Sequence, residues 1–365
     1  MNILYITNHL NTGGITSYCL TLATGMKHKG HNVYLASSTG DLVEQFSEQG
    51  LVFFKIPIKT KCEASPKILL SFLKLRKFIR QNQIDILHAH SRTTMVLAAW
   101  LSYVSGIPYL ATAHGFFKAH FWRRAFPCWG LRTIAISDPV GEHLVRDFKI
   151  EASKVKVIYN GIDINKFGSG FGVGSSELKR KFGLGDAVVI GIIARLADVK
   201  GHIYIIGAMP EILKVIPDAQ LLIVGEGKMK PELLELSRRL SLEKSIFFVP
   251  SVLDTREALA AMDIFVMPSL KEGLGLSLME AMACGLPVIG SAVGGIKTLI
   301  THQQNGLLVQ PQDVKGLAQA VLELLQDEYK AKTLGAKAKV FIAEHFSQEK
   351  MVSQTEALYE EVLAG

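Results

Sequence analysis

The segment richest in usable chemistry runs from residue 268 to 283, PSLKEGLGLSLMEAMA. Its pattern predicts a strand ending near Met267, a backbone opened by Gly273 and Gly275, and a helix starting near Leu276. The first amides of such a helix have no intrahelical partner and carry the positive end of its dipole, so they attract an anion. Glu272 falls in the loop and Glu280 about one turn into the helix. Both carboxylates can then face one pocket and accept hydrogen bonds from the hydroxyls of a ribose or a hexose. Taken alone, the commoner reading is blander: Glu280 as a surface helix residue and Glu272 as a charge favoured by the dipole.

Other segments bear on the same chemistry. IARLADVKG, residues 193–201, leaves a strand and carries Arg195 and Lys200 five positions apart. A guanidinium fork and a compact ammonium suit the oxygens of a diphosphate, although isolated surface cations would look the same. HLNTGG, residues 9–14, forms the first strand-to-helix turn, where amides near Gly14 can approach a phosphate. It is not G-x-G-x-x-G, and no acidic residue follows the second strand closely, which disfavours a dehydrogenase. His114 stands at a strand end in Thr112-Ala113-His114-Gly115. His88 and His90 read as structural.

The elements that would position these residues are β-α units. Apolar runs at 3–8, 32–37, 84–89, 109–113, 132–137 and 155–159 alternate with helical patterns. The alternation resumes at 188–193, 220–224, 246–249, 264–267, 287–290 and 306–309. Between them GSGFGVGSS reads as a linker. The expected fold class is therefore α/β: two doubly wound, Rossmann-like domains facing a central cleft, at 1–168 and 177–347, with a linker at 169–176. Ligands of such sheets bind at the carboxyl ends of the strands. A length of 365 residues suits two cores.

Four cysteines without paired spacing argue against disulfides or structural zinc and for a reducing cytoplasm. The start, MNILYI, reads as a strand rather than an export signal. Residues 95–113 carry no charge, but Ser102, Ser105, Gly106 and Pro108 divide them into a helix at about 93–105 and a strand at about 108–113 rather than a membrane span. Residues 1–168 hold 20 Lys and Arg against 10 Asp and Glu, whereas 169–365 hold 20 against 23. The first half should meet an anionic partner such as a membrane surface or acidic polymer. No recognition motif accompanies the charge, so nucleic acid is not expected.

The order of Gly13-Gly14, His114, Asn160-Gly161-Ile162-Asp163, Arg195, Lys200-Gly201, Gly225-Glu226-Gly227 and the E-x7-E pair Glu272 and Glu280 resembles the retaining glycosyltransferases of family 4, which have the GT-B fold. The likeness spans essentially the whole chain. It implies an acceptor-binding first domain, a nucleotide-sugar-binding second domain, and a C-terminal helix (about 348–365) crossing back to the first. It further implies Arg195 and Lys200 on the diphosphate, Glu280 on the ribose, and Glu272 on the donor hexose. Amides of Gly273, Leu274, Gly275 and Leu276 would serve the phosphate and sugar, Gly14 would lie under the diphosphate, and His114 near the C6 hydroxyl and reacting centre. Retention of the anomeric configuration follows from the same resemblance. Val199 departs from it, standing where the family often has an acidic residue.

No Asp-x-Asp occurs, so neither a metal nor another cofactor is expected; two cations and helix amides would stabilise the departing diphosphate. FFKAHFWRRAF, residues 116–126, interleaves aromatics with cations, and Phe117, Lys118, Trp122, Arg123 and Arg124 read as an acceptor or membrane interface. The basic, apolar pattern of 66–81 fits either a core helix with a solvated face or a further membrane contact. The expected partners are a nucleotide sugar, a glycan or lipid-linked acceptor of cell-envelope synthesis, and the anionic inner face of the plasma membrane. A same-fold sugar-nucleotide epimerase and an inactive sugar- or polyanion-binding protein are the rival readings.

Overall fold

The computed structural model describes residues 1–168, 174–252 and 254–365, the side chain of Trp122 excepted. The chain forms two compact units, Met1–Gly161 with Gln348–Gly365, and Ile162–Ser347.

The first unit is built on β1 (Asn2–Ile6), β2 (Asn32–Ser37), β3 (Val52–Lys55), β4 (Ile86–Ala89), β5 (Tyr109–Ala113), β6 (Arg132–Ala135) and β7 (Val155–Val157). All pairings are parallel, in the order β3-β2-β1-β4-β5-β6-β7. Strand order reverses at β1, whose Ile3 to Ile6 are fully buried, as befits a parallel strand covered on both faces. The crevice at such a reversal lies at the carboxyl ends of β1 and β4, which places the turn before helix Gly14–His28 at this unit's binding edge. That helix packs against Gln348–Ala364. Met351, Val352, Leu358 and Tyr359 of the latter complete a core with Ile3, Tyr5, Tyr18, Leu22 and Leu35.

The second unit repeats the plan with β8 (Val189–Ile193), β9 (Gln220–Val224), β10 (Ile246–Val249), β11 (Ile264–Met267), β12 (Val288–Ser291) and β13 (Leu307–Val309), parallel in the order β10-β9-β8-β11-β12-β13. Helices His202–Val215 and Val314–Gln326 pack together over one face, burying Ile205, Met209, Leu317 and Val321 on Ile190, Val266 and Ile289. The reversal falls between β8 and β11, the strands that deliver Arg195 and Glu272.

Two features differ from the sequence reading. The units divide at Gly161 rather than at 168, because Ile162 donates its N–H to the Phe346 carbonyl (3.0 Å) and helix Ile164–Gly168 packs on helices Leu276–Ala283 and Glu328–His345. Of the expected linker at 169–176, residues 169–173 lie outside the described residues. Strand β3 went unrecognised: it is a four-residue edge strand with no fully buried side chain, so it lacks the apolar run that marked the others. The uncharged stretch forms helix Arg92–Ser105 and strand β5. Ser91 and Thr94 cap that helix reciprocally at its start. No helix of the described residues is long and apolar enough to cross a membrane.

Candidate functional site

In the second unit, the chain leaves β8 through Ala194 and Arg195, makes a short turn at Asp198–Lys200, and enters helix His202–Val215. Gly201 sits at the junction with φ of 71°, and a Cβ there would lie 1.9 Å from the Pro268 carbonyl oxygen. Only glycine permits this approach. The Leu270 N–H donates to the Val199 carbonyl at 2.8 Å, fastening the same two loops. The loop holding Lys200 is thereby fixed to the loop after β11 that holds Glu272.

The result is an ion pair in which the Lys200 ammonium donates to Glu272 Oε2 at 2.5 Å, with 22% and 11% of the two side chains exposed. Ser269 Oγ reaches the same carboxylate at 3.5 Å. Gly295 donates its N–H to the Glu272 carbonyl at 3.0 Å, holding the loop from the other side. Gly275, in the left-handed region, then opens helix Leu276–Ala283, which has no side-chain cap, so its first amides stay available. The Ser277 hydroxyl donates to the Ile193 carbonyl at 2.7 Å and ties the helix start to the end of β8.

Glu280 occupies a different environment. It accepts a hydrogen bond from the Thr255 hydroxyl at 2.9 Å. Burial pushes its carboxyl up to about 7; Thr255 and the Lys166 charge pull it back, and Asp254 adds to the rise. A carboxyl at about 7 is half protonated near neutral pH, and partners that favour its ionised form draw the proton off. Arg195 is exposed and makes no hydrogen bond or ion pair among the described residues.

In the first unit, Gly14 begins helix Gly14–His28, which likewise has no side-chain cap. His114 follows the carboxyl end of β5; its Nε2 is 3.3 Å from His90 Nδ1, and the Tyr18 ring meets it edge-on at 4.8 Å. Burial pushes its imidazole down to about 3, so it is neutral at ordinary pH. His88 is fully buried, with Nδ1 2.5 Å from the Tyr359 hydroxyl and Nε2 2.7 Å from Thr112 Oγ1. Tyr359 in turn donates to the Tyr5 hydroxyl at 3.1 Å. His88 thus holds the C-terminal helix to the sheet.

The aromatic and basic segment 116–126 is anchored rather than splayed. Phe117 packs edge-on against Trp129 at 5.4 Å. Arg123 Nε donates to Glu63 at 2.6 Å, and Arg92 Nε donates to the other oxygen of that carboxylate at 2.9 Å. Arg92 also donates to the carbonyls of Phe126 and Pro127, and Arg124 to the Asp147 carbonyl at 3.0 Å. Lys118 is exposed, and the side chain of Trp122 lies outside the described residues.

The structure therefore joins Lys200 directly to Glu272 and adds Thr255, Ser269 and Ser277, which the sequence reading did not single out. Ser277 could have been noticed as a hydroxyl in the first turn of an uncapped helix. Thr255 precedes Glu280 by 25 positions and carries no local signal. Among the described residues, no group of three His, Cys, Asp or Glu side chains is placed to hold a metal ion.

Residues 12–166 match the model of the family described as Glycosyltransferase Family 4, and residues 187–327 that described as Glycosyl transferases group 1. The chain is 28% identical to N-acetyl-alpha-D-glucosaminyl L-malate synthase of Bacillus anthracis, over 98% of this chain and 96% of that protein. It is 27% identical to the UDP-Gal:alpha-D-GlcNAc-diphosphoundecaprenol alpha-1,3-galactosyltransferase of Escherichia coli, over 80% of each. Among solved structures, Anabaena HepE in complex with UDP and glucose superposes with a TM-score of 0.87 at 22% identity, over 99% of each chain. That likeness speaks to the fold, which is GT-B. With two parallel-sheet units, each matched by a glycosyltransferase model, the chain belongs to the glycosyltransferases of family 4.

Proposed function

We propose that the protein transfers a hexose-type sugar from a uridine or guanosine diphosphate sugar to a glycan or lipid-linked acceptor in cell-envelope polysaccharide synthesis, with retention of the anomeric configuration. The Lys200–Glu272 pair beside the open amides of helix Leu276–Ala283 carries this reading. Without donor the two charges neutralise each other. With donor, Lys200 and Arg195 turn to the diphosphate and Glu272 to the hexose hydroxyls, so the pair exchanges one partner for another already in place. Glu280 takes the ribose hydroxyls. Gly14 and His114 keep the roles that the resemblance gives them.

In the transfer, the bond from the anomeric carbon to the β-phosphate oxygen breaks as the acceptor oxygen bonds to that carbon from the same face. The acceptor proton passes to the departing phosphate oxygen. Neither glutamate acts as a nucleophile. The negative charge that develops on the diphosphate meets two cations and helix amides, the kind of prearranged stabilisation that accounts for much of enzymatic rate enhancement. The Escherichia coli relative, a galactosyltransferase named for its diphosphoundecaprenol-linked acceptor, supports the lipid-linked option. The work would be done on the cytoplasmic side of the membrane.

A melting-temperature panel of UDP- and GDP-sugars tests the donor. A ligand at 100 times its Kd stabilises the native state by about 2.7 kcal/mol, so one sugar nucleotide should stand out. NMR of the product should show a retained anomer; an inverted one overturns the mechanism. EDTA should leave the rate within about twofold of the untreated enzyme if two cations suffice as the leaving-group clamp. Loss of activity restored by magnesium or manganese would refute this.

Glu280 gives donor binding a pH dependence. Its ionised form accepts both ribose hydroxyls, and its carboxyl sits at about 7 in the empty site. Affinity should therefore be level above about pH 8 and fall below 7, by roughly fivefold from pH 7 to 6. Glu280→Gln should weaken donor binding and flatten the profile. Titrations of UDP-sugar by calorimetry at several pH values check both; a profile unchanged in the variant would remove Glu280 from the ribose.

A further inference from the structure

Two adjacent helices of the first unit, Pro66–Gln81 and Arg92–Ser105, expose more apolar surface than their core requires. In the first, Ile68, Ser71, Leu75 and Ile79 are buried and form the stripe that packs inward. Leu69, Leu70 and Leu73 lie outside that stripe and are each about half exposed, at 50%, 52% and 56%. In the second, Met95, Val96, Leu97, Ala98 and Leu101 are buried, while Trp100, Tyr103 and Val104 point outward, Tyr103 with 92% of its surface exposed. Phe72 meets Trp100 edge-on at 6.4 Å, so the two helices present one continuous face.

Charge says what covers it. Neither helix contains an acidic residue. Lys74, Arg76, Lys77 and Arg80 are exposed on the first and form no ion pair among the described residues. Exposed leucines flanked by unpaired cations, with a Trp and a Tyr alongside, match the boundary between acyl chains and anionic headgroups: apolar side chains enter, amphipathic rings sit at the interface, and cations meet phosphate. An acidic protein surface would satisfy the cations but leave the leucines wet, and a second copy of the same face would bring like charges together.

We infer that this two-helix face docks the protein on an anionic lipid bilayer, with Leu69, Leu73 and Trp100 entering the interface and Lys74 and Lys77 engaging headgroups. The anchored segment 116–126 is a separate feature, held at the starts of both helices through Glu63 and Arg92. The inference stands apart from the donor-site reading, because the measurement needs neither donor nor acceptor.

Full-length protein is floated with vesicles of phosphatidylcholine alone and of phosphatidylcholine with one part in three phosphatidylglycerol. It should rise with the anionic vesicles, not with the neutral ones, and less in high salt. Leu69→Glu with Leu73→Glu, and separately Lys74→Glu with Lys77→Glu, should each weaken binding by roughly tenfold or more. Unchanged circular dichroism and melting temperature show that each pair of substitutions spares the fold. Failure to bind anionic vesicles, or binding untouched by both variants, overturns the inference. So does self-association without lipid, seen by sedimentation, that the same substitutions abolish, since a second copy would then be the occupant.

Discussion

Lys200→Ala should lower kcat/KM by roughly 10² to 10³, about 3–4 kcal/mol of lost transition-state stabilisation. Two effects combine in this number. The ammonium is one of two cations assigned to the leaving diphosphate, and its removal also strands Glu272, whose carboxylate is 11% exposed and takes its only ionic partner among the described residues from Lys200. An unpaired carboxylate beside the phosphates repels the donor as well. Lys200→Arg should recover little, because a planar fork cannot occupy the place of a compact ammonium held 2.5 Å from Glu272. Steady-state kinetics with the donor identified by the melting panel measures both; a residual kcat/KM within tenfold of the parent would remove Lys200 from the leaving-group role.

Gly201→Ala should be the most damaging small substitution near the site. The residue has φ of 71°, and its Cβ would press on the Pro268 carbonyl 1.9 Å away. Left-handed strain and the backbone clash together should cost about 3 kcal/mol, or roughly 6–12 °C in melting temperature for a unit of this size. Gly183 supplies the control, with nearly the same φ of 74° but open space where its Cβ would go. Gly183→Asn should shift the melting temperature by only a few degrees, whereas Gly201→Asn, which relieves the strain but not the clash, should remain severe. Equal shifts at the two positions would mean that backbone conformation alone matters and that the contact with Pro268 is soft.

The alternation of β-α units was legible because buried parallel strands are written as short apolar runs, and all strands except β3 had one. Where expected strands ran too long, the overshoot is informative. The run at 3–8 ends as a strand at Ile6, and Asn8 instead exchanges hydrogen bonds with Thr60. Likewise 132–137 ends as a strand at Ala135, leaving Ser137 to precede helix Asp138–Phe148. Residues just past a strand end look like strand locally, yet they form the loops where ligands of this fold bind.

The candidate donor residues were recognisable as a set, but not their pairing. Lys200 and Glu272 stand 72 positions apart, and their contact depends on Gly201 and Leu270 closing two loops together. Glu63 shows the same limit. Nothing around it marks an anchor, because its two arginines, Arg92 and Arg123, come from the start of one helix and from the short helix Phe121–Ala125, 29 and 60 positions away. Composition led 116–126 to be read by its side chains, whereas the fold employs Arg123 and Arg124 to hold the segment down.

The last helix gives the chain an order of assembly. Tyr359, bonded to His88 and Tyr5, and Met351, Val352 and Leu358 around it belong to the core of a unit whose other 161 residues are synthesised first. On the ribosome the first unit must wait, with the pocket for Tyr359 unfilled, while residues 162–347 emerge and close their own sheet. Completion of the amino-terminal unit is thus deferred until residues 348–364 have been made, and a chain terminated before them lacks the helix needed to finish that unit.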